Sequence, residues 1–264
     1  MSIDPRAAVS AKAHLGEGVE VGPFAVIEDG VTLGARVKVW PHAYICTGTT
    51  VGDDTQIHMG AVVGHAPQDL AFAGKPSFLT IGKRTVVREY ATIHRGTEEN
   101  SSTVIGDDCY FMATAHVGHN CQIGNKVIVV NAALLAGYVT VEDGAFISGN
   151  VVIHQFCRIG TMVMVGGYTA VNKDVPPYML VRGPSVVRSL NLIGLRRAKF
   201  SRELIADLKE AFRLLYLADL NTQQALEGIA KLRQSPELDH LSAFIRSSKR
   251  GICKSKDTEE EYWG

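Results

Sequence analysis

The chain has no excess of charge: 27 Lys and Arg balance 27 Asp and Glu. Without a basic field it has nothing to draw a nucleic acid or an anionic membrane surface. No apolar run approaches the ~20 residues of a membrane-spanning helix. The opening Met1-Ser2-Ile3-Asp4-Pro5-Arg6 lacks a signal-peptide core. The expectation is a cytoplasmic protein with no membrane span. Cysteines are few, and none is spaced for a metal. Cys46 and Cys253 have no neighbours at ligand spacing, while Cys109, Cys121 and Cys157 recur at one slot of a repeat that elsewhere takes Ala, Val or Thr. They read as small core residues rather than disulfide partners or ligands. Disorder is excluded too, since 46% hydrophobic and 20% charged residues suit a globular chain with one good core and a smaller appendage.

What is present is a period of six. An aliphatic residue recurs at Val9, Leu15, Val21, Ile27, Leu33, Val39, Ile45, Val51, Ile57 and Val63, resumes at Ile81, Val87 and Ile93, and runs again, with Phe111 as its one aromatic member, from Ile105 to Val171. The second position is often Gly (Gly16, Gly34, Gly118, Gly124) and the fifth is small or β-branched (Ala25, Val37, Ala115, Ala133). Six matches neither a 3.6-residue helix nor a simple alternating strand. It fits a parallel β-helix in which each hexad is a short strand and a corner, the aliphatic residue pointing inward. Residues 64–80 and 96–104 leave the register and read as loops expelled from a corner, where solenoids often bind ligands.

From about Arg188 the hexads stop. Ser201, Asn221 with Gln224, and Ser235-Pro236 each mark a helix start. The division is residues 1–187 as a β-helix domain and 188–264 as a helical domain that caps the open solenoid end. The tail from Lys254 to Gly264 reads as frayed.

With three hexads per coil, residues eighteen apart stack about 4.8 Å apart. His119, Gly137 and Gln155 form one column, Asn120, Tyr138 and Phe156 the next, and Gly118, Ala136 and His154 the one before; His116 lies just around the corner. A lone outward histidine on a solenoid is ordinarily a solvated or hydrogen-bonded surface residue, and His14, His42 and His58 read that way; His240, in the last helix, is given no role in a site. Histidines converging on a bare glycine read as a site. An imidazole suits removal of a hydroxyl proton near neutral pH, and the Gly137 N–H suits an oxyanion. Together they suggest direct acyl transfer. Cys121, turned inward, disfavours a covalent intermediate. Two other readings stay open: a metal site built from His94, His116 and His119, and a non-catalytic scaffold.

The ordered segments Gln68-Asp69-Leu70, Thr92-Ile93-His94-Arg95-Gly96, Ala115-His116-Val117-Gly118-His119-Asn120-Cys121, Leu135-Ala136-Gly137, His154-Gln155-Phe156 and Asp174-Val175-Pro176-Pro177-Tyr178 resemble the acyl-carrier-protein–UDP-N-acetylglucosamine O-acyltransferases, which begin lipid A synthesis. The resemblance implies a mainly β, left-handed β-helix, a homotrimer with sites between subunits, acyl carrier protein as donor and UDP-N-acetylglucosamine as acceptor. It calls for no cofactor and no metal. It makes His119 the general base and Gly137 the oxyanion donor. It puts Gln68, Asp69, His94, His116, Tyr138, His154, Gln155, Asn191 and Arg197 around the substrates, and Gly167 at the position limiting acyl length. Departures fall at Tyr138 (commonly His), Ala71 (Lys), Ile193 (Glu), Ala198 (Arg) and Asn120 (often Asp). They leave the transfer chemistry in place and raise a 3-amino sugar as an alternative acceptor. A related N-acyltransferase is the other enzymatic reading, although those relatives usually carry a domain ahead of the hexads, which here begin by Val9. Arg196, Arg197, Arg202 and Arg213 are the basic residues at hand for an acidic carrier, on a helix surface where arginines are ordinarily just solvated.

Overall fold

Each hexad forms a two-residue strand and a tight corner in the computed structural model, which describes residues 1–255. The strands stack into three sheets of eleven, nine and eight strands. The first sheet starts with Ser2–Ile3, the second with Ala8–Val9 and the third with His14–Leu15, and the chain visits them in that order. The result is a left-handed parallel β-helix, against the usual right-handed preference of crossovers in parallel sheets. The eighteen-residue register holds: Val117 lies opposite Leu135, and Leu135 opposite Ile153. Those three side chains and the fifth-position Ala115, Ala133 and Val151 are buried and form part of one core.

The corners have a feature that composition does not announce. The fourth residue of nearly every hexad adopts the left-handed conformation, although it is seldom Gly: Arg36, Asn120, Tyr138 and Phe156 all have φ between 58° and 65°. That conformation costs an L-residue roughly 1–2 kcal/mol. Cross-coil hydrogen bonds at the same corner offset it, such as Tyr138 N–H to His119 O at 2.9 Å and Phe156 N–H to Gly137 O at 3.2 Å. The second-position glycines answer to crowding instead. A Cβ on Gly118 would lie 2.8 Å from the Ala136 carbonyl carbon and from the Gly137 nitrogen.

Strand pairing reaches further into the two excursions than the hexad pattern suggests. Strands Val62–His65 and Phe78–Ile81 flank the first, and Thr92–His94 and Ser102–Ile105 the second, so the unpaired loops are 66–77 and 95–101. Both leave the edge between the second and third sheets in consecutive coils. The turn at 118–121 follows at the same edge one coil later.

Beyond Val171 the strand Met179–Arg182 extends the first sheet in parallel, and Val186–Leu190 returns antiparallel to it. Four helices follow: α1 (Leu192–Arg197), α2 (Arg202–Tyr216), α3 (Thr222–Ile229) and α4 (Pro236–Arg246). Ser201, Asn221 and Ser235 cap the last three, with both halves of the capping box formed by Asn221 and Gln224. The short α1 has no hydrophobic period to betray it and opens on the Asn191 cap. α4 packs along the third sheet: Arg158 lies over the Phe244 ring at 4.0 Å, and His240 Nε2 meets Glu142 Oε2 at 2.7 Å. His240, given no role in a site, therefore ties a helix to the solenoid. The tail expected to fray is anchored at its start, where Lys254 bridges to Val186; its remainder lies outside the described residues.

All five cysteines are free and buried. Burial pushes the thiols of Cys46 and Cys121 up to about 12, which leaves no ready thiolate.

Candidate active site

The shared edge brings three segments together. From the turn at 118–121 comes His119, whose side chain is only 14% exposed. From the next coil comes Gly137, so close that a Cβ there would lie 2.6 Å from His119 Cε1 and Nε2. From the 66–77 loop comes Asp69, with Oδ2 3.7 Å from His119 Nε2. Its other oxygen accepts from Ala71 N–H at 2.9 Å, a local turn that fixes the carboxylate. Gln68 beside it is exposed.

Asn120 sets the state of the imidazole. Its Oδ1 accepts from Thr97 N–H at 2.9 Å, and its Nδ2 donates to Glu98 Oε2 at 3.2 Å. An N–H only donates and a carboxylate only accepts, so the carboxamide has one orientation. The same Oδ1 lies 3.0 Å from His119 Nδ1, which places the ring proton on Nδ1 and leaves the Nε2 lone pair facing Asp69 and Gly137. Tyr138 meets the His119 ring edge-on at 5.1 Å, stacks on Phe156 at 4.8 Å and donates its hydroxyl to Glu98 Oε1. Burial, and then Glu98, raise the phenol to about 12. It stays protonated at any working pH.

His94 and His116 sit one step back on the second sheet, rings edge-to-face at 4.9 Å. His116 Nδ1 hydrogen-bonds Thr92 Oγ1 at 2.7 Å. Burial first, and then the neighbouring His116, push His94 down to about 4, and burial lowers His116 as well. Both are held neutral, suited to hydrogen bonding rather than charge pairing. Among the described residues no three His, Cys, Asp or Glu are placed to hold a metal ion.

Gly137 has one further property. At the edge between third and first sheets, several third-position N–H groups are capped by the next coil, as Lys83 by Asp107 and Asn125 by Asp143. Gly137 is buried, yet its N–H meets no acceptor among the described residues. A buried unpaired N–H is costly and marks a place where a ligand atom belongs.

Other residues named from the sequence lie elsewhere in the chain. His154 and Gln155 occupy the following coil and are exposed, with Arg250 Nη2 3.4 Å from His154 Nδ1. Asn191 caps α1 and donates to Met162 O at 2.8 Å, at the edge between third and first sheets. Arg197 is exposed on α1, and Gly167 is exposed at the edge between first and second sheets. His154 and Gln155 share the edge of His119, one coil beyond Gly137, whereas a single chain does not bring Asn191, Arg197 or Gly167 to His119. Arg213 is paired with Glu210 at 2.7 Å. Thr92, Thr97 and Glu98 escaped notice as site residues. Their only signal was that an expelled loop immediately precedes the His119 coil.

A hexapeptide β-helix with a histidine, an open backbone donor and two loops at one edge defines a hexapeptide-repeat transferase. Comparisons agree. Residues 12–47 and 102–137 match the bacterial transferase hexapeptide model (six repeats), and 174–253 match UDP N-acetylglucosamine O-acyltransferase, domain 2. An acyl-[acyl-carrier-protein]–UDP-N-acetylglucosamine O-acyltransferase of Ectopseudomonas mendocina is 48% identical over 96% of this chain and 99% of its own. One from Synechocystis is 48% identical over 73% of this chain and 70% of its own. The crystal structure of a UDP-N-acetylglucosamine acyltransferase from Bacteroides fragilis superposes with a TM-score of 0.92 at 40% identity, covering 95% of this chain and 99% of that one. The chain belongs to the acyl-[acyl-carrier-protein]–UDP-N-acetylglucosamine O-acyltransferase family.

Proposed function

We propose that the chain transfers a 3-hydroxyacyl group from acyl carrier protein to the 3-hydroxyl of UDP-N-acetylglucosamine, the first step of lipid A synthesis. The observation that carries the reading is the His119–Gly137 pair, a base with its Nε2 lone pair free beside a buried N–H that meets no acceptor among the described residues. His119 Nε2 takes the proton of the attacking hydroxyl as the oxygen bonds to the thioester carbon. The Gly137 N–H receives the developing oxyanion. Collapse of that intermediate breaks the C–S bond, and the imidazolium returns the proton to the departing thiolate. Asp69, His94 and His116 line the acceptor side.

The active unit is a trimer. The outward residues of the first and second sheets are apolar in the later coils (Phe146 and Met164; Leu134 and Val152), whereas those of the third are polar (Gln122, Thr140, Arg158). Packing the second sheet of one subunit on the first sheet of the next covers the apolar faces. It also carries a neighbour's Asn191 and Arg197 to the mouth of the His119 site and its Gly167 toward the inner end.

The test is a transfer assay with 3-hydroxyacyl carrier proteins of several chain lengths, offering UDP-N-acetylglucosamine and its 3-amino analogue in parallel. Acylation of the ordinary sugar is the expected result. Acylation of the amine alone would keep the mechanism and change the acceptor, and transfer to neither would overturn the reading.

A further inference from the structure

Glu98 lies in the 95–101 loop, and its backbone carbonyl is held by Ser101 through both N–H (3.1 Å) and Oγ (2.8 Å). Its carboxylate divides between two corner residues of consecutive coils. Oε2 accepts from Asn120 Nδ2 at 3.2 Å, and Oε1 accepts from the Tyr138 hydroxyl. Asn120 Oδ1 in turn meets His119 Nδ1 at 3.0 Å. A continuous path therefore runs from a carboxylate, through one carboxamide, to the ring nitrogen opposite the proposed base lone pair.

We propose that Glu98 is a positioning residue for the transfer reaction: through Asn120 it locks the imidazole of His119 in the Nδ1-protonated form and lends it the negative charge that Asn120 lacks. This rests on His119 acting as general base. Two physical points support it. A carboxamide has two orientations of nearly equal shape, and the wrong one would aim an NH2 at His119 Nδ1 and move the ring proton to Nε2. Thr97 N–H and Glu98 both oppose that flip, and only Glu98 brings charge. A carboxylate accepting from Nδ2 also polarises the amide, strengthening Oδ1 as an acceptor when the imidazolium forms. Tyr138 has a part in this arrangement: its hydroxyl, protonated at any working pH, keeps the otherwise exposed carboxylate in place.

The test compares Glu98→Gln, Glu98→Ala and Glu98→Asp with wild type and with His119→Ala in one steady-state assay. Losing a charge-assisted hydrogen bond to the reacting arrangement should lower kcat about tenfold in the Ala variant, and less in the Gln variant. KM for the sugar should stay the same, and Asp should restore part of the rate. The acidic limb of the kcat/KM–pH profile should move to lower pH in Glu98→Gln, because the imidazole loses a charge that favours its protonated form. The other groups facing His119 (Asp69 from the 66–77 loop, His94 and His116 from the second sheet, Tyr138 from the next coil) are untouched by these changes. If Glu98→Ala does not fold, as judged by circular dichroism, the Gln and Asp variants carry the comparison. An unchanged kcat and pH profile would overturn the proposal. So would a rise in KM at constant kcat, which would make Glu98 a substrate contact. Should His119→Ala keep the wild-type rate, the general-base reading itself falls, a result distinct from a silent Glu98.

Discussion

A Cβ on Gly137 would lie only 2.6 Å from the Nε2 of His119. Glycine at 137 is therefore what lets the neighbouring ring stand in this position. Its own φ is not in the left-handed region that favours glycine. Gly137→Ala should fold with a melting temperature near that of wild type, because the ring can swing outward. The displaced base should lower kcat by about 10²-fold, the scale expected for a misplacement near 1 Å. Steady-state kinetics alongside thermal denaturation would separate the two effects.

Removing the proposed base itself is the more direct change. His119→Ala should lower kcat by roughly 10²–10⁴ with little effect on stability, the range for loss of a general base. Single-turnover transfer of a radiolabelled acyl group would measure it, and a rate within twofold of wild type would remove His119 from the mechanism.

The apolar outer faces make oligomeric state a separate test. Leu134 and Val152 are 45% and 44% exposed in the isolated chain, and both sit on the second sheet. Placing Asp at both should convert a species near three times 28.6 kDa to one subunit by light scattering. Transfer activity should disappear with it, because the proposed trimer is what carries Asn191, Arg197 and Gly167 to a neighbour's His119.

Acid should weaken the fold through His94. Burial and His116 hold this imidazole at about 4, whereas in the unfolded chain it titrates near 6.5. Between those values the unfolded state binds more protons, so stability rises with pH across that window and is lost as pH falls through it. The contribution is on the order of 1–2 kcal/mol once solvent screening is allowed for. Denaturant titrations at pH 4.5 and 7.5 should show a smaller difference for His94→Gln than for wild type.

Three hexads per coil, with an aliphatic residue leading each and a small one in fifth place, determined the β-helix, its eighteen-residue register and the stacking of Gly137 over His119. Those are consequences of a local period, and a period is visible in any one chain. The helix starts at Ser201, Asn221 and Ser235 were legible for the same reason, since each cap needs only its own next three residues. Tertiary structure decided the rest. Nothing local says that loops 66–77 and 95–101 meet at one edge to bring Asp69 to the imidazole and Glu98 to the Asn120 beside it, because such contacts depend on where the coil beneath has placed its corner. The tautomer of His119 was equally hidden: it follows from Thr97 N–H and Glu98 fixing one carboxamide, and both come from a segment outside the repeat. Asn191, Arg197 and Gly167 were named only through the resemblance to the family, and one chain sets them apart from His119, at the cap of α1, on α1 itself and at another edge of the solenoid. Whether they share a site with His119 is a property of subunit packing, which no periodicity encodes.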